Sequence, residues 1–157
     1  MIKGLRFLSI IYMGLLTIIL TGCMDNQANV NALIAKVQKE VPFTIIIPSY
    51  FPNGLSPSSI NIGKPTHDND SNTTWLRIIY YIKGTNKVID IQEDSLNATT
   101  FPSGPSETFI VDNVKILSQE VNGQTLYSWN SNGVGFDVYM SGWGKDEGQK
   151  VVESMIK

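Results

Sequence analysis

Along most of this chain apolar and polar residues alternate with a period of two, and short clusters of Gly, Asn, Pro and Ser interrupt the alternation. That is the signature of successive β-strands joined by turns. Residues 74–83 show it best, with Leu76, Ile78, Tyr80 and Ile82 on one face and Trp75, Arg77, Ile79, Tyr81 and Lys83 on the other. The second face is partly aromatic rather than merely solvated. Residues 58–64 read as an earlier strand with Ile60 and Ile62 on one side, after the turn-rich segment 48–54. Gly84-Thr85-Asn86 turns the chain into 87–94, where Ile89 and Ile91 alternate with Asp90 and Gln92. Beyond a Pro- and Ser-rich loop around 101–105 come shorter strands at 109–111, 114–121, 125–129 and 134–140. Their separators are Asp112-Asn113, Asn122-Gly123 and Asn132-Gly133. Asn-Gly favours the two positive-φ residues of a type I′ turn, so these strands are predicted to form antiparallel hairpins. In the last of them Val134, Phe136, Val138 and Met140 face one way, and Gly135, Asp137 and Tyr139 the other.

Two stretches change to a helical period. Val30, Leu33, Ile34 and Val37 recur at i, i+3, i+4 and i+7, which predicts an amphipathic helix that ends before Pro42. Its stripe holds no Trp or Phe and few basic residues flank it, so packing on the domain is favoured over lying on a membrane surface. Residues 145–156 predict a closing helix that buries Val151, Val152, Met155 and Ile156. The fold class is therefore α+β, an antiparallel sheet of about six or seven strands with an N-terminal and a C-terminal helix.

The first residues follow a different logic. Lys3 and Arg6 precede an uncharged apolar stretch over residues 7–20, the n-region and h-region of a secretory signal. That stretch falls short of the roughly 18–20 residues a spanning helix needs, although an uncleaved membrane helix or an ordinary cleaved signal is the plainer alternative. The run closes with Leu20-Thr21-Gly22-Cys23, which resembles the lipobox of bacterial lipoproteins. Small side chains at Thr21 and Gly22 suit a cleavage pocket, and the Cys23 thiol can accept a diacylglyceryl group as a thioether. Cys23 is also the sole cysteine. Three segments are expected: a signal peptide over 1–22, the lipidated Cys23 with a short polar tether and helix over 23–40, and one extracytoplasmic domain over 41–157. Residues 25–31, if fully extended, would span only about 25 Å and hold the domain close to the bilayer.

Composition narrows the function. The chain of 157 residues is 42% apolar and 17% charged with a formal charge of −2, so it lacks the basic stripe that a phosphate backbone needs, and no nucleic-acid partner is expected. Loss of Lys3 and Arg6 with the signal would enlarge the acidic excess, leaving attachment to the acyl chains alone. One Cys and one His exclude an internal disulfide and a four-ligand zinc site. No cofactor is predicted.

The order Ile47-Pro48, Tyr50-Phe51-Pro52-Asn53-Gly54-Leu55, then Tyr80-Tyr81, Ile89-Asp90-Ile91-Gln92-Glu93, Trp129 before an Asn-Gly turn, a strand ending near Ser141, and Glu153-Ser154-Met155 resembles an uncharacterised extracytoplasmic domain. That domain occurs on Gram-positive lipoproteins and on the outer portions of some membrane anti-sigma factors. The resemblance covers most of 41–157. It implies a fold similar to the lipoprotein-carrier group, a curled antiparallel β-sheet around helices with a concave apolar face, and it brings no known catalytic residue. Leu55 stands where an aromatic commonly follows the turn, and Gly148 interrupts the closing helix.

Several chemical patterns stop short. Asp68, Asp70 and Asn72 open like a calcium loop, but the sixth position is Thr73 rather than Gly and the twelfth is Ile79 rather than Glu. A polar hairpin tip accounts for the same residues, His67 included. Ser154-Met155-Ile156-Lys157 has the Ser-x-x-Lys spacing without its companion motifs, and Gly142-Trp143-Gly144-Lys145 is followed by Asp146, not Ser or Thr. The aromatic set Trp75, Tyr81, Trp129, Tyr139 and Trp143 is more informative. These rings are either core beneath helices or the lining of a groove formed by Trp75, Arg77, Tyr81, Trp129, Asp137 and Tyr139. Two function classes follow. One is a non-catalytic binding or sensing module on the outer face of the membrane, for an envelope peptide, a lipid or apolar ligand, or a regulatory protein. The other is a cell-envelope hydrolase using carboxylates such as Asp90, Glu93 and Asp137.

Overall fold

The computed structural model describes residues 26–51, 59–62, 66–68, 73–82, 84–95 and 104–156. Helix α1 (Asn26–Val37) runs into a short 3-10 turn (Gln38–Glu40), and eight strands follow: β1 (Ser59–Ile62), β2 (Thr66–Asp68), β3 (Thr73–Tyr81), β4 (Val88–Asp94), β5 (Glu107–Val111), β6 (Val114–Val121), β7 (Gln124–Ser131) and β8 (Val134–Ser141). Helix α2 (Lys145–Glu153) closes the chain. All strand pairs are antiparallel, in the order β1-β3-β4-β8-β7-β6-β5, with β2 also on β3. β1 pairs with residues 78–81 of β3 and β2 with residues 73–75, so the two form one interrupted edge and the sheet is seven positions wide. It is open, because β5 and the β1/β2 edge do not meet.

Local chemistry sets this register. Asp112-Asn113, Asn122-Gly123 and Asn132-Gly133 each place both residues at positive φ, at 46° and 68°, 51° and 76°, and 52° and 79°. These are the two-residue turns whose twist matches antiparallel strands. They bring Val111 opposite Val114, Val121 opposite Gln124, and Ser131 opposite Val134. The alternation expected in β3, β4 and β8 holds: Leu76, Ile78, Tyr80, Ile89, Ile91, Phe136, Val138 and Met140 are all buried.

One face of the sheet carries the core. α2 packs there through Val151 and Val152, and Met155 and Ile156 are buried just beyond the helix. Gly148 makes the close approach possible, because a Cβ at that position would stand 2.7 Å from the Tyr127 hydroxyl and 3.3 Å from Met140 Sδ. Tyr127 in turn donates to the Lys145 carbonyl at 3.1 Å. A non-helical strap over residues 43–51 completes the cover with Phe43 and Ile45 buried. Gln38 fixes its start by donating to the Phe43 carbonyl at 2.6 Å and accepting from Ile45 N–H at 2.9 Å. Ser154 fixes its end: its Oγ accepts from the backbone N–H of Ser49 and Tyr50 at 3.2 and 3.3 Å, while Ser49 Oγ donates to its carbonyl.

Two boundaries differ from expectation. The chain is already helical from Asn26, so residues 26–31 are not an extended tether and advance only about 1.5 Å per residue. The stretch expected as one helix through 156 ends at Glu153 and continues as hydrogen-bonded turns, with Met155 N–H donating to Val152 O and Ile156 N–H to Glu153 O. Residues 1–25, including the stretch expected to be a signal and Cys23, lie outside the described residues.

Candidate functional site

The face opposite α2 and the strap holds most of the charged side chains of β3, β4 and β8, with Trp75, Tyr81 and Tyr139 among them. The register sorts it into rows that cross the sheet. Trp75, Asp94, Gly135 and Asn130 form the first, and Arg77, Gln92, Asp137, Ser128 and Leu117 the second. Ile79, Asp90, Tyr139 and Leu126 form the third, and Tyr81, Val88, Ser141 and Gln124 the fourth. Five of the six residues expected to line a groove, namely Trp75, Arg77, Tyr81, Asp137 and Tyr139, therefore share this face.

Trp129 does not. It lies on the core face, 2% exposed, stacked on its register partner Phe136 with ring centroids 4.8 Å apart and planes 7° from parallel. This corrects the expectation that alternation would carry it to the groove side. The cause is phase: the turn at Asn132-Gly133 pairs residue 129 with 136, and Phe136 belongs to the apolar set of β8. Trp143 sits beyond β8, where its indole N–H donates to the Val88 carbonyl at 3.1 Å and Lys87 Nζ lies 4.4 Å from its ring centroid. Lys87 also pairs with Glu147 of α2 at 2.8 Å.

On the polar face, β3 is the open part. Trp75 is 39% exposed and Tyr81 43%, one toward each end of the strand, and Arg77 lies between them. Arg77 donates two hydrogen bonds to Asp90, from Nε at 2.9 Å and from an Nη at 2.6 Å. That fork holds the guanidinium flat against the sheet. Across β8 the face closes, since Leu126 and Ser128 of β7 are each 1% exposed. Ser128 Oγ donates to Asp137 at 2.5 Å. Burial raises the Asp137 carboxyl above its ordinary range, the serine bond opposes that shift, and the nearby Asp94 charge adds to it. The Tyr139 hydroxyl is likewise raised by burial and by Asp137 and Asp90. Asp94 lies over Gly135, where a Cβ would come 2.6 Å from its carboxylate. Gln92, Asp94 and Ser128 belong to this constellation by register and were not singled out from the sequence. The same turn arithmetic that places Trp129 also places Ser128 opposite Asp137.

The three carboxylates expected for a hydrolytic site do not converge. Asp90 and Asp137 occupy the polar face, with Asp90 engaged by Arg77. Glu93 projects into the core between Leu76 and Phe136, its register partners, and is 0% exposed. Its Oε1 accepts from Ile46 N–H of the strap at 3.0 Å, and its Oε2 has no partner among the described residues. Burial pushes this carboxyl up to about 8, against a small opposing effect of the Ile46 bond. Tyr80, whose buried hydroxyl is also without a partner among the described residues, is raised by burial and by Glu93.

The remaining motifs take structural places. β2 pairs His67 with Thr74 and Asp68 with Thr73, and Asp70 and Asn72 lie outside the described residues. Ser154 Oγ donates to Val151 O at 2.6 Å and holds the strap. Among the described residues no group of three or more His, Cys, Asp or Glu could hold a metal, and no helix is long and apolar enough to cross a membrane. A depression of about 530 Å³ lies at the β6–β7 end of the sheet, lined by Asn113, Lys115, Leu117, Trp129, Asn130 and Asn132 among others. No family model matches this chain, and no curated protein or solved structure does either.

Proposed function

We propose that this chain is a lipoprotein anchored through Cys23 at the outer face of the membrane, whose domain is a non-catalytic module that binds an extended peptide of the envelope or of a regulatory protein. The observation that carries the binding reading is the open side of β3, where the half-exposed rings of Trp75 and Tyr81 flank the Arg77–Asp90 pair. Exposed aromatic rings on a rigid strand supply stacking area at low conformational cost. Acidic groups outnumber basic ones here, with Asp90, Asp94 and Asp137 against Arg77, which suits a ligand rich in N–H donors. The dispersal of Asp90, Glu93 and Asp137 over two faces weighs against the hydrolase. The anchor reading rests on Lys3, Arg6, the apolar stretch and Leu20-Thr21-Gly22-Cys23.

Two variants test the two halves separately. Cys23→Ala is expected to lose incorporation of radiolabelled palmitate and stay as the precursor; continued labelling sinks the anchor. The double variant Trp75→Ala with Tyr81→Ala is expected to keep the wild-type unfolding midpoint and lose partners cross-linked in intact membranes, with a binding cost of about 2 kcal/mol or more for such anchors. An unchanged cross-linking pattern sinks the binding face.

A further inference from the structure

The two edges of the sheet are not alike. On one side the edge is broken into β1 and β2, of four and three residues, and α1 packs beside β1. Short, interrupted and covered strands are the usual protection against edge-to-edge pairing. On the other side β5 is continuous over Glu107–Val111 and ends the sheet. It carries no Pro, Lys or Gly, and Ile110 is 71% exposed, the most exposed of the large hydrophobic side chains among the described residues.

The turn fixes which backbone groups β5 offers. In a two-residue hairpin the residues flanking the turn exchange both hydrogen bonds, here Val111 with Val114. Phe109 with Ile116 and Glu107 with Ser118 repeat that inward pattern two residues apart. Thr108 and Ile110 therefore turn their N–H and C=O groups outward, away from β6.

We infer that β5 is a dimerisation edge, and that its occupant is β5 of a second copy of this chain, paired antiparallel in full overlap to make one continuous sheet across a two-fold axis at Phe109. In that register Thr108 faces Ile110 of the copy and Ile110 faces its Thr108, so both outward pairs close and four backbone hydrogen bonds form. Ile110 also lies diagonally across the seam from Ile110 of the copy, two positions from its register partner and within reach of a long side chain. Glu107 faces Val111 and never another Glu107, whereas parallel pairing in register would oppose the two carboxylates. Glu107 is already neutralised by Lys145 of its own chain. The pairing thus closes the outward backbone groups, opposes no like charges and brings the two Ile110 side chains together, and the contact is isologous and closes at two copies. This edge lies at the far side of the sheet from Trp75 and Tyr81, so the inference is independent of the binding face.

The full chain in neutral detergent, studied by sedimentation velocity with the protein mass separated from the micelle, tests it. The wild type is expected to dimerise in the micromolar range, and Ile110→Lys to weaken the dimer by about tenfold or more without changing the circular dichroism spectrum. Ile110→Pro, which removes one outward donor, is expected to act in the same direction. In a Cys23→Ser background, mixing Thr108→Cys chains with Ile110→Cys chains is expected to give a mixed disulfide under mild oxidation in preference to either homotypic one. A wild-type monomer overturns the inference, even one that binds an extended peptide on β5. So does a dimer that Ile110→Lys leaves intact, or one whose cross-links are homotypic.

Discussion

Two tryptophans on one sheet had opposite fates. Trp129 lies on the core face under the α2 side of the molecule, flat against Phe136, while Trp75 stands on the other face with 39% of its surface in water. Trp75 sits in a strand whose burial alternates, whereas Trp129 ends a run of five successive buried residues in β7. Alternation within a strand tells which residues share a side; it does not tell which side, until a turn or a register partner fixes the phase. The two faces differ in consequence as well. The core face holds one carboxyl, Glu93, whose neutral form burial favours, and the polar face holds three, of which Asp90 is held by Arg77 and Asp137 by Ser128.

The contrast predicts a graded set of outcomes. Trp129→Ala is expected to cost about 3–5 kcal/mol of folding stability in urea titrations, the loss of a large ring from a packed core. A loss below about 1 kcal/mol would mean that the core face is not what holds this ring. Next comes Glu93. Its folded pKa near 8 lies above the ordinary 4.5, so the folded chain binds more protons than the unfolded one across that window. The stability it supports is fully present below 4.5, falls as pH rises, and is gone above about 8. Glu93→Gln, which mimics the neutral acid, is expected to flatten this dependence and to exceed the wild type in melting temperature at alkaline pH; a parallel pair of pH profiles would contradict it. Trp75→Ala is the smallest effect, within about 0.5 kcal/mol, as for an exposed side chain away from special contacts. An effect as large as that of Trp129→Ala would erase the distinction between the faces.

Much of this architecture was legible in the residues. The Asn-Gly turns and the period-two pattern placed the antiparallel hairpins of the β6–β8 meander, and the helical stripe placed the residues by which α2 reaches the core. β2 was missed because His67 and Asp68 carry no alternation, and pairing to β3 alone makes them a strand. The strap was also missed, since residues 43–51 have neither period and are held by Gln38, Glu93 and Ser154 from distant parts of the chain. Gly148 looked like a flaw in the closing helix and is the point of closest approach to Tyr127 and Met140. For the candidate site, β3 and β8 were readable in isolation. Trp129 was not, because its assignment needed the sum of positions across Asn132-Gly133 and not the strand alone.

The three two-residue turns also set a timetable. β5 to β8 zip from their own turns, each strand meeting the one just made, whereas β4 reaches β8 only after β5, β6 and β7 have intervened. Contacts close in sequence form before those that must close a long loop. Pulse-labelled hydrogen exchange is expected to protect the groups bonded within the β3–β4 and β6–β7 pairs before those that bond β4 to β8, and the reverse order would contradict it. A chain emerging from its N-terminus therefore makes the Trp75 strand early and seats it late: the seam between β4 and β8 waits for the last strand of the meander.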